Sequence, residues 1–261
     1  MAAQAGGPIG SYGPTIRASS WGQRLVTTRF ARHLAPMLTR PGEIVRRHDP
    51  DRFLTSLFAP ADKRDALFAL YAFDYELARA RDAVSEPYLA LIRLQWWRDV
   101  VEGAPRRHEV AEPLGEAIAA GQLARPDLLA ILDAREMEAE PSIPSFEDWR
   151  GYLYGGAGGL AVAAARLLGA PEPERLRPVG AAYGAGRLLR GVRLLARRGR
   201  CLLPADRLAA HGLSPEAVIR KPDMASLDPV LAELAEEGEA ILAEARHIRV
   251  PRQAVAAVLP A

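Results

Sequence analysis

Cysteine occurs once in this chain, at Cys201, which excludes an internal disulfide framework and fits a reducing compartment. Lysine is confined to Lys63 and Lys221, and arginine supplies the rest of the basic charge. No apolar run reaches the length of a membrane-spanning helix, so an integral membrane protein is excluded and only peripheral contact with a bilayer stays open. No segment alternates polar and apolar residues with the β-branched enrichment of a strand, so no sheet is expected. Acid is missing from two stretches. Residues 1–42 carry Arg17, Arg24, Arg29, Arg32 and Arg40 with no Asp or Glu, and between Glu174 and Asp206 there is again no carboxylate. Because the net charge is only +2, the body of the chain is net negative. That excludes a polybasic nucleic-acid binder, which needs cationic groups to neutralise phosphates. The histidines (His33, His48, His108, His211, His247) are scattered, and none makes a metal-ligand spacing with another or with Cys201. No nucleophile elbow is present.

What is present is an ordinary globular composition, 49% hydrophobic and 25% charged over 261 residues, enough to bury one sizeable core. Apolar residues recur at helical spacing from residue 43 onward. Helices are expected over 43–48, 50–58, 62–84, 87–103, 109–122, 126–139, 145–168, 173–196, 204–211, 214–219 and 227–247, broken at Pro60, Pro87, Gly103 to Pro105, Gly121, Pro141 to Pro144, Gly169 to Pro171 and Pro222. The central stretch is 49–102. There Leu67, Phe68, Leu70, Tyr71, Phe73 and Leu77 fall on one broad helical stripe, behind Pro60 and with Asp62 near the helix start. A second helix follows Pro87 with Leu89, Ile92, Leu94, Trp96 and Trp97 as its apolar load. Adjacent tryptophans cannot both face inward, so one belongs at the edge of the core.

Two features have competing readings. The acid-free, Arg-bearing residues 1–42 have the composition of an organelle transit peptide, and equally that of a disordered bacterial extension or of a start codon set too early. The run from Gly155 to Gly159 suggests a phosphate loop, but no strand precedes it and no Lys-Ser/Thr follows. Close approach of helices accounts for it better, since small residues let backbones touch.

The segments FLTSLFAPADKRDALFALYAF and QWWRD, with YLYGGAGGL (Tyr152–Leu160) and RRGRCLLP (Arg197–Pro204), resemble the squalene/phytoene synthase family from about Arg46 onward. The resemblance implies an all-α, single-domain isoprenoid-synthase-like bundle over residues 43–261, and family members continue through another helix where this chain reaches Ala261. It also implies head-to-head joining of two prenyl diphosphates, with magnesium held by two acidic motifs on facing helices. Magnesium takes octahedral oxygen coordination from carboxylates and phosphates, so those carboxylates matter.

This sequence departs from the family at both motifs. In place of the first aspartate-rich stretch stand Ala78, Arg79 and Asp82. Asp74 and Asp82 share a helix face but lie about 12 Å apart along the axis, too far to ligate one ion. Pairing on the helix surface, with Arg79 between Glu76 and Asp82, accounts for these charges. In place of the second motif stand Arg187, Arg190, Arg193, Arg197, Arg198 and Arg200, which repel magnesium. Arg190, Arg193 and Arg197 share a face opposite Leu188, Val192 and Leu195. Two readings apply to that face: solvated arginines, or an anion site formed by Arg187, Arg190, Arg193, Arg197 and Arg200, since guanidinium grips phosphate or carboxylate oxygens bidentately. Glu138 maps to a late acidic position of the family and, without partners, reads as a surface charge.

The stretches AFDYELARARDAVSEP and ILDARE are similar to a non-catalytic branch of the family that serves in the assembly of mitochondrial respiratory complex I. The expectation is therefore a protein without catalytic residues, metal or cofactor, acting in complex I assembly or in lipid-associated binding. Its partners would be a respiratory-complex subunit or assembly protein and a prenyl or anionic lipid, with no nucleic acid. It would work in the bacterial cytoplasm, or on the matrix side of the mitochondrial inner membrane if residues 1–42 are a transit peptide. Two other readings stay open: an active prenyltransferase using Mg2+, and a carrier that holds a prenyl or acyl chain without turning it over.

Overall fold

The computed structural model describes residues 38–82 and 86–258; the expected extension over 1–42 lies, as far as residue 37, outside the described residues. Thr39 accepts a hydrogen bond from the Gly42 amide and starts helix α1 (Arg40–His48), three residues earlier than its apolar periodicity suggested. Asp49 then ends α1 and caps α2 (Pro50–Ser56), accepting from the Arg52 amide at 3.2 Å. The centre of the bundle is α3 (Ala61–Asp82). Leu67, Phe68, Leu70, Tyr71, Phe73 and Leu77 are all buried there. Apolar burial on nearly every side of α3 makes it the axis of the core, and each such side chain contributes about 1.5–3 kcal/mol.

Against it packs α4 (Pro87–Glu102), ended by Gly103 at φ 114°, a conformation open to glycine. The tryptophan pair divides as its adjacency requires. Trp97 is buried edge-on against Phe73 at 5.6 Å, while Trp96 lies half-buried, edge-on to Trp97 at 4.9 Å. The chain continues through α5 (Ala111–Ala119) and α6 (Arg125–Glu136), which runs into a 3-10 turn over Met137–Ala139. Next come α7 (Phe146–Gly155) and α8 (Ala157–Leu167), then a 3-10 turn (Pro173–Leu176) and the long α9 (Arg177–Arg197). After these come α10 (Ala205–Ala210), α11 (Pro215–Arg220), α12 (Met224–Ala245) and a 3-10 turn over Arg252–Ala257.

Three differences from the sequence reading bear on the site. The single helix expected over 145–168 is two, divided at Gly156, whose φ/ψ of −75°/−85° is not helical. The glycine run serves close packing: a Cβ on Gly155 would stand 2.8 Å from Ala134 Cβ, and one on Gly158 2.9 Å from the Arg177 carbonyl. Lastly there is a sheet, although none was expected. Strands β1 (Ser142–Ile143) and β2 (Cys201–Pro204) pair in parallel, with the Cys201 amide donating to the Pro141 carbonyl at 2.7 Å. A two-residue strand is too short to show alternation, so no periodicity could have announced it. Among the described residues no helix is long and apolar enough to cross a membrane.

Candidate functional site

A cavity of about 270 Å³ lies between α1, α3, α6, α7 and α9, and its walls carry most of the chain's buried charge. Three residues of α3 reach it, Asp74, Ala78 and Asp82, one helical face at four-residue spacing. The cap residue Asp49 and Arg52 come from the α1–α2 corner. Arg135 and Glu138 come from the end of α6 and its 3-10 turn, Arg187 and Arg198 from α9 and its end, and Arg200 from just before β2.

These groups form one alternating ionic chain. Arg187 donates to Asp49 at 3.0 Å, and Arg52 bridges Asp49 and Asp74 at 3.2 Å each. Arg135 bridges Asp74 and Glu138. Arg200 donates to Glu138 at 2.5 Å and to Asp82 at 3.3 Å, and Arg198 closes the chain on Asp82 at 2.6 Å. Tyrosines flank it. The Tyr152 hydroxyl donates to Glu138 at 2.7 Å, and the Arg52 guanidinium lies 5.3 Å from the ring centre of Tyr71 and 5.0 Å from that of Tyr183.

The electrostatics follow from this pairing. Burial opposes ionisation of Asp74, but Arg135 and Arg52 overcome it and hold its carboxyl below the usual aspartate value. Burial likewise opposes ionisation of Glu138, and Arg135, Arg200 and the Tyr152 hydroxyl outweigh it. Burial beside that carboxylate pushes the Tyr152 phenol upward, so it stays a hydrogen-bond donor. Cys201 is free and buried at the base of the site, and burial pushes its thiol up to about 11, which keeps it unreactive.

The residues singled out from sequence are divided by this geometry. Ala78 and Asp82 line the cavity. Arg79 does not: it is half exposed, pairs with Glu76 at 3.0 Å and lies over the Tyr75 ring. The surface pairing expected for Asp82 is corrected, because its partners are Arg198 and Arg200 more than a hundred residues away. Glu138 and Asp74 are not surface charges either; only 5% and 6% of each is exposed. Of the arginine set, Arg187 and Arg200 reach the cavity, whereas Arg190, Arg193 and Arg197 are exposed on the outer face of α9 with no carboxylate partner among the described residues. Sequence reasoning passed over Arg52 and Arg135. Arg135 lies inside the ILDARE stretch that carried the resemblance, and Glu138 three residues on is its helical neighbour, so a signal was there.

The donor set does not fit a magnesium cluster. Each of the four cavity carboxylates already has at least two guanidinium partners. Among the described residues no group of three or more His, Cys, Asp or Glu could hold a metal ion.

The fold and this helix-to-helix placement of charged groups agree with what the chain resembles. Residues 45–261 match the squalene/phytoene synthase family model. The chain belongs to the squalene/phytoene synthase family. Within it, the chain is 30% identical over 227 residues to the NADH dehydrogenase (ubiquinone) complex I assembly factor 6 of Homo sapiens, covering 83% of this chain and 68% of that protein. The homolog of that assembly factor in Drosophila melanogaster is 26% identical over 226 residues, covering 80% of this chain and 68% of its own. Among solved structures, squalene synthase HpnC from Alicyclobacillus acidocaldarius superposes with a TM-score of 0.69 at 17% identity, covering 84% of this chain and 86% of that one. A dehydrosqualene synthase in complex with ligand does so with a TM-score of 0.64 at 19% identity, over 78% of this chain and 74% of that one. At those identities the two synthases establish the isoprenoid-synthase-like helical fold.

Proposed function

We propose that this family member is not a prenyltransferase and acts in the assembly of respiratory complex I. The observation that carries the first half is the charge pairing in the cavity: guanidinium groups of the chain itself occupy every carboxylate that faces it. Ionising a prenyl diphosphate develops negative charge on the leaving group, and preorganised cations must stabilise that charge more in the transition state than before it. Guanidiniums already neutralised by Asp and Glu have little left to offer, and carboxylates so neutralised attract no divalent cation. The assembly role rests on the named function of the relatives at 26–30% identity. On that reading the protein needs no cofactor and works beside the membrane that holds complex I. That place is the bacterial cytoplasm, or the matrix side of the inner membrane if residues 1–42 are a transit peptide.

Two measurements test this. Farnesyl or geranylgeranyl diphosphate with magnesium should yield neither pyrophosphate nor a coupled hydrocarbon. Deleting the gene in the source organism should lower assembled complex I on native gels, and the wild-type chain should restore it. Magnesium-dependent pyrophosphate release that is lost on Asp82→Ala would return the chain to the synthases. Complex I at full level in the deletion strain would remove the assembly role.

A further inference from the structure

Two hollows in this protein share a wall. The central cavity lies on one side of Tyr183, and on the other a groove of about 260 Å³ runs between α9 and α12. The two differ in chemistry. The groove is lined by small and aliphatic side chains, among them Ala182, Ala185, Leu189, Gly238 and Leu242, with Arg190 and Glu239 as its charged members. The cavity holds five guanidiniums (Arg52, Arg135, Arg187, Arg198, Arg200) against four carboxylates, an excess of one positive charge. Arg187 and Arg198 keep 47% and 49% of their side chains exposed, so part of each guanidinium is free to meet a ligand.

A second observation points to an anion. The Nε–H groups of Arg135 and Arg200 are buried with no acceptor, and Arg200 as a whole is only 3% exposed. A buried donor left without a partner carries the desolvation cost of that group, and an oxygen of a bound anion removes it. Tyr183 stands at the junction. Arg52 and Arg187 lie 5.0 Å and 5.7 Å from its ring centre, and the same residue borders the apolar groove.

We propose that the two hollows are one site for a phosphate-headed amphiphile, with the head on the cavity guanidiniums without any metal and the hydrocarbon tail in the α9–α12 groove. Guanidinium suits this task because its paired N–H groups match phosphate oxygens bidentately and stay charged when buried. The groove suits a flexible chain because glycine and alanine on both helices leave room that larger residues would fill. At Gly238 a Cβ would meet only Ala185 Cβ, at 3.5 Å, an ordinary contact. The proposal rests on the non-catalytic reading of the cavity. It is tested by binding, so its failure is distinct from a failure of the assembly role.

The experiment is titration calorimetry on the full chain in EDTA with three probes: decyl phosphate, inorganic phosphate and decanol. Decyl phosphate should bind at least about tenfold more tightly than either of the others, a difference of about 1.4 kcal/mol. Gly238→Leu, which fills the groove, should bring decyl phosphate to the level of inorganic phosphate. Gly186→Leu provides a second filling variant, since a Cβ there meets only the movable end of Arg190, at 3.2 Å. Arg187→Gln with Arg198→Gln should weaken both phosphate probes about tenfold. Equal affinity for decyl and inorganic phosphate would reduce the site to one for free phosphate and overturn the tail groove. Equal affinity for decanol and decyl phosphate would overturn the anionic head. Binding that appears only with added magnesium would overturn metal-free recognition.

Discussion

Arg200 and Glu138, 62 residues apart in sequence, meet at 2.5 Å with less than a tenth of either exposed. The meeting is made by the short β1–β2 pair, because Glu138 lies just ahead of β1 and Arg200 immediately ahead of β2. Parallel pairing of Ser142 with Cys201 therefore brings the two charges together. The same Glu138 carboxylate takes Arg135 and the Tyr152 hydroxyl, so one side chain ties α6, α7 and the strand pair.

Glu138→Gln should accordingly be among the most destabilising single changes in the chain. Removing one partner of a buried ion pair leaves uncompensated charge and costs about 3–5 kcal/mol. Urea unfolding followed by circular dichroism measures it, and a loss below about 1 kcal/mol, the range of an exposed pair, would mean that Glu138 is solvated.

Stability should fall in acid earlier than surface charge alone would cause. Asp74 and Glu138 both have folded pKa values below their ordinary ones, because paired guanidiniums outweigh burial. A depressed carboxylate contributes stability that is fully present above its unfolded value, about 3.9 for Asp and 4.3 for Glu, and is lost as pH falls through the lower folded value. The loss therefore belongs below about pH 4. Thermal midpoints from pH 7 to pH 3 should show it, and Asp74→Asn should flatten the acid limb.

Rebuilding the first motif should not create a synthase. Ala78 faces the cavity, but Arg79 points to Glu76 and solvent, so Ala78→Asp with Arg79→Asp adds one carboxylate to the site and one to the surface. No carboxylate lies between Glu174 and Asp206 to form the facing half. Pyrophosphate release with farnesyl diphosphate and magnesium should stay at background in the double variant.

Glycines at helix contacts and on open faces should respond oppositely to alanine. A Cβ at Gly180 would stand 2.4 Å from the Ala157 carbonyl and 2.6 Å from Ala161 Cβ, so Gly180→Ala must push α8 and α9 apart and should cost about 1–3 kcal/mol. At Gly151 a Cβ meets nothing within 4 Å, and Gly151→Ala within α7 should stabilise by about 0.5–1 kcal/mol. Paired urea melts give both signs. In the core, Leu70→Ala should cost about 2–5 kcal/mol, and Trp97→Ala should cost more than Trp96→Ala because Trp97 is the buried member of the pair.

The helical class, the central place of α3 and the loss of both acidic motifs were legible in the sequence by itself. Each is written locally: in the three- and four-residue spacing from Leu67 to Leu77, in prolines and glycines at helix ends, and in Ala78 and Arg79 where a run of aspartates would stand. What only the tertiary structure decided is the fate of the charges that remain. Arg79 and Asp82 are near neighbours on α3, yet one faces solvent and the other the cavity, and the partners of Asp82 arrive from the end of α9. A charge in a sequence shows its neighbours at three and four residues, and those had suggested a solvated surface for Asp74, Asp82 and Glu138. Burial reverses that reading because a desolvated carboxylate must be paired, and here the pairing is made by arginines that only the packing of α3, α6 and α9 brings within reach.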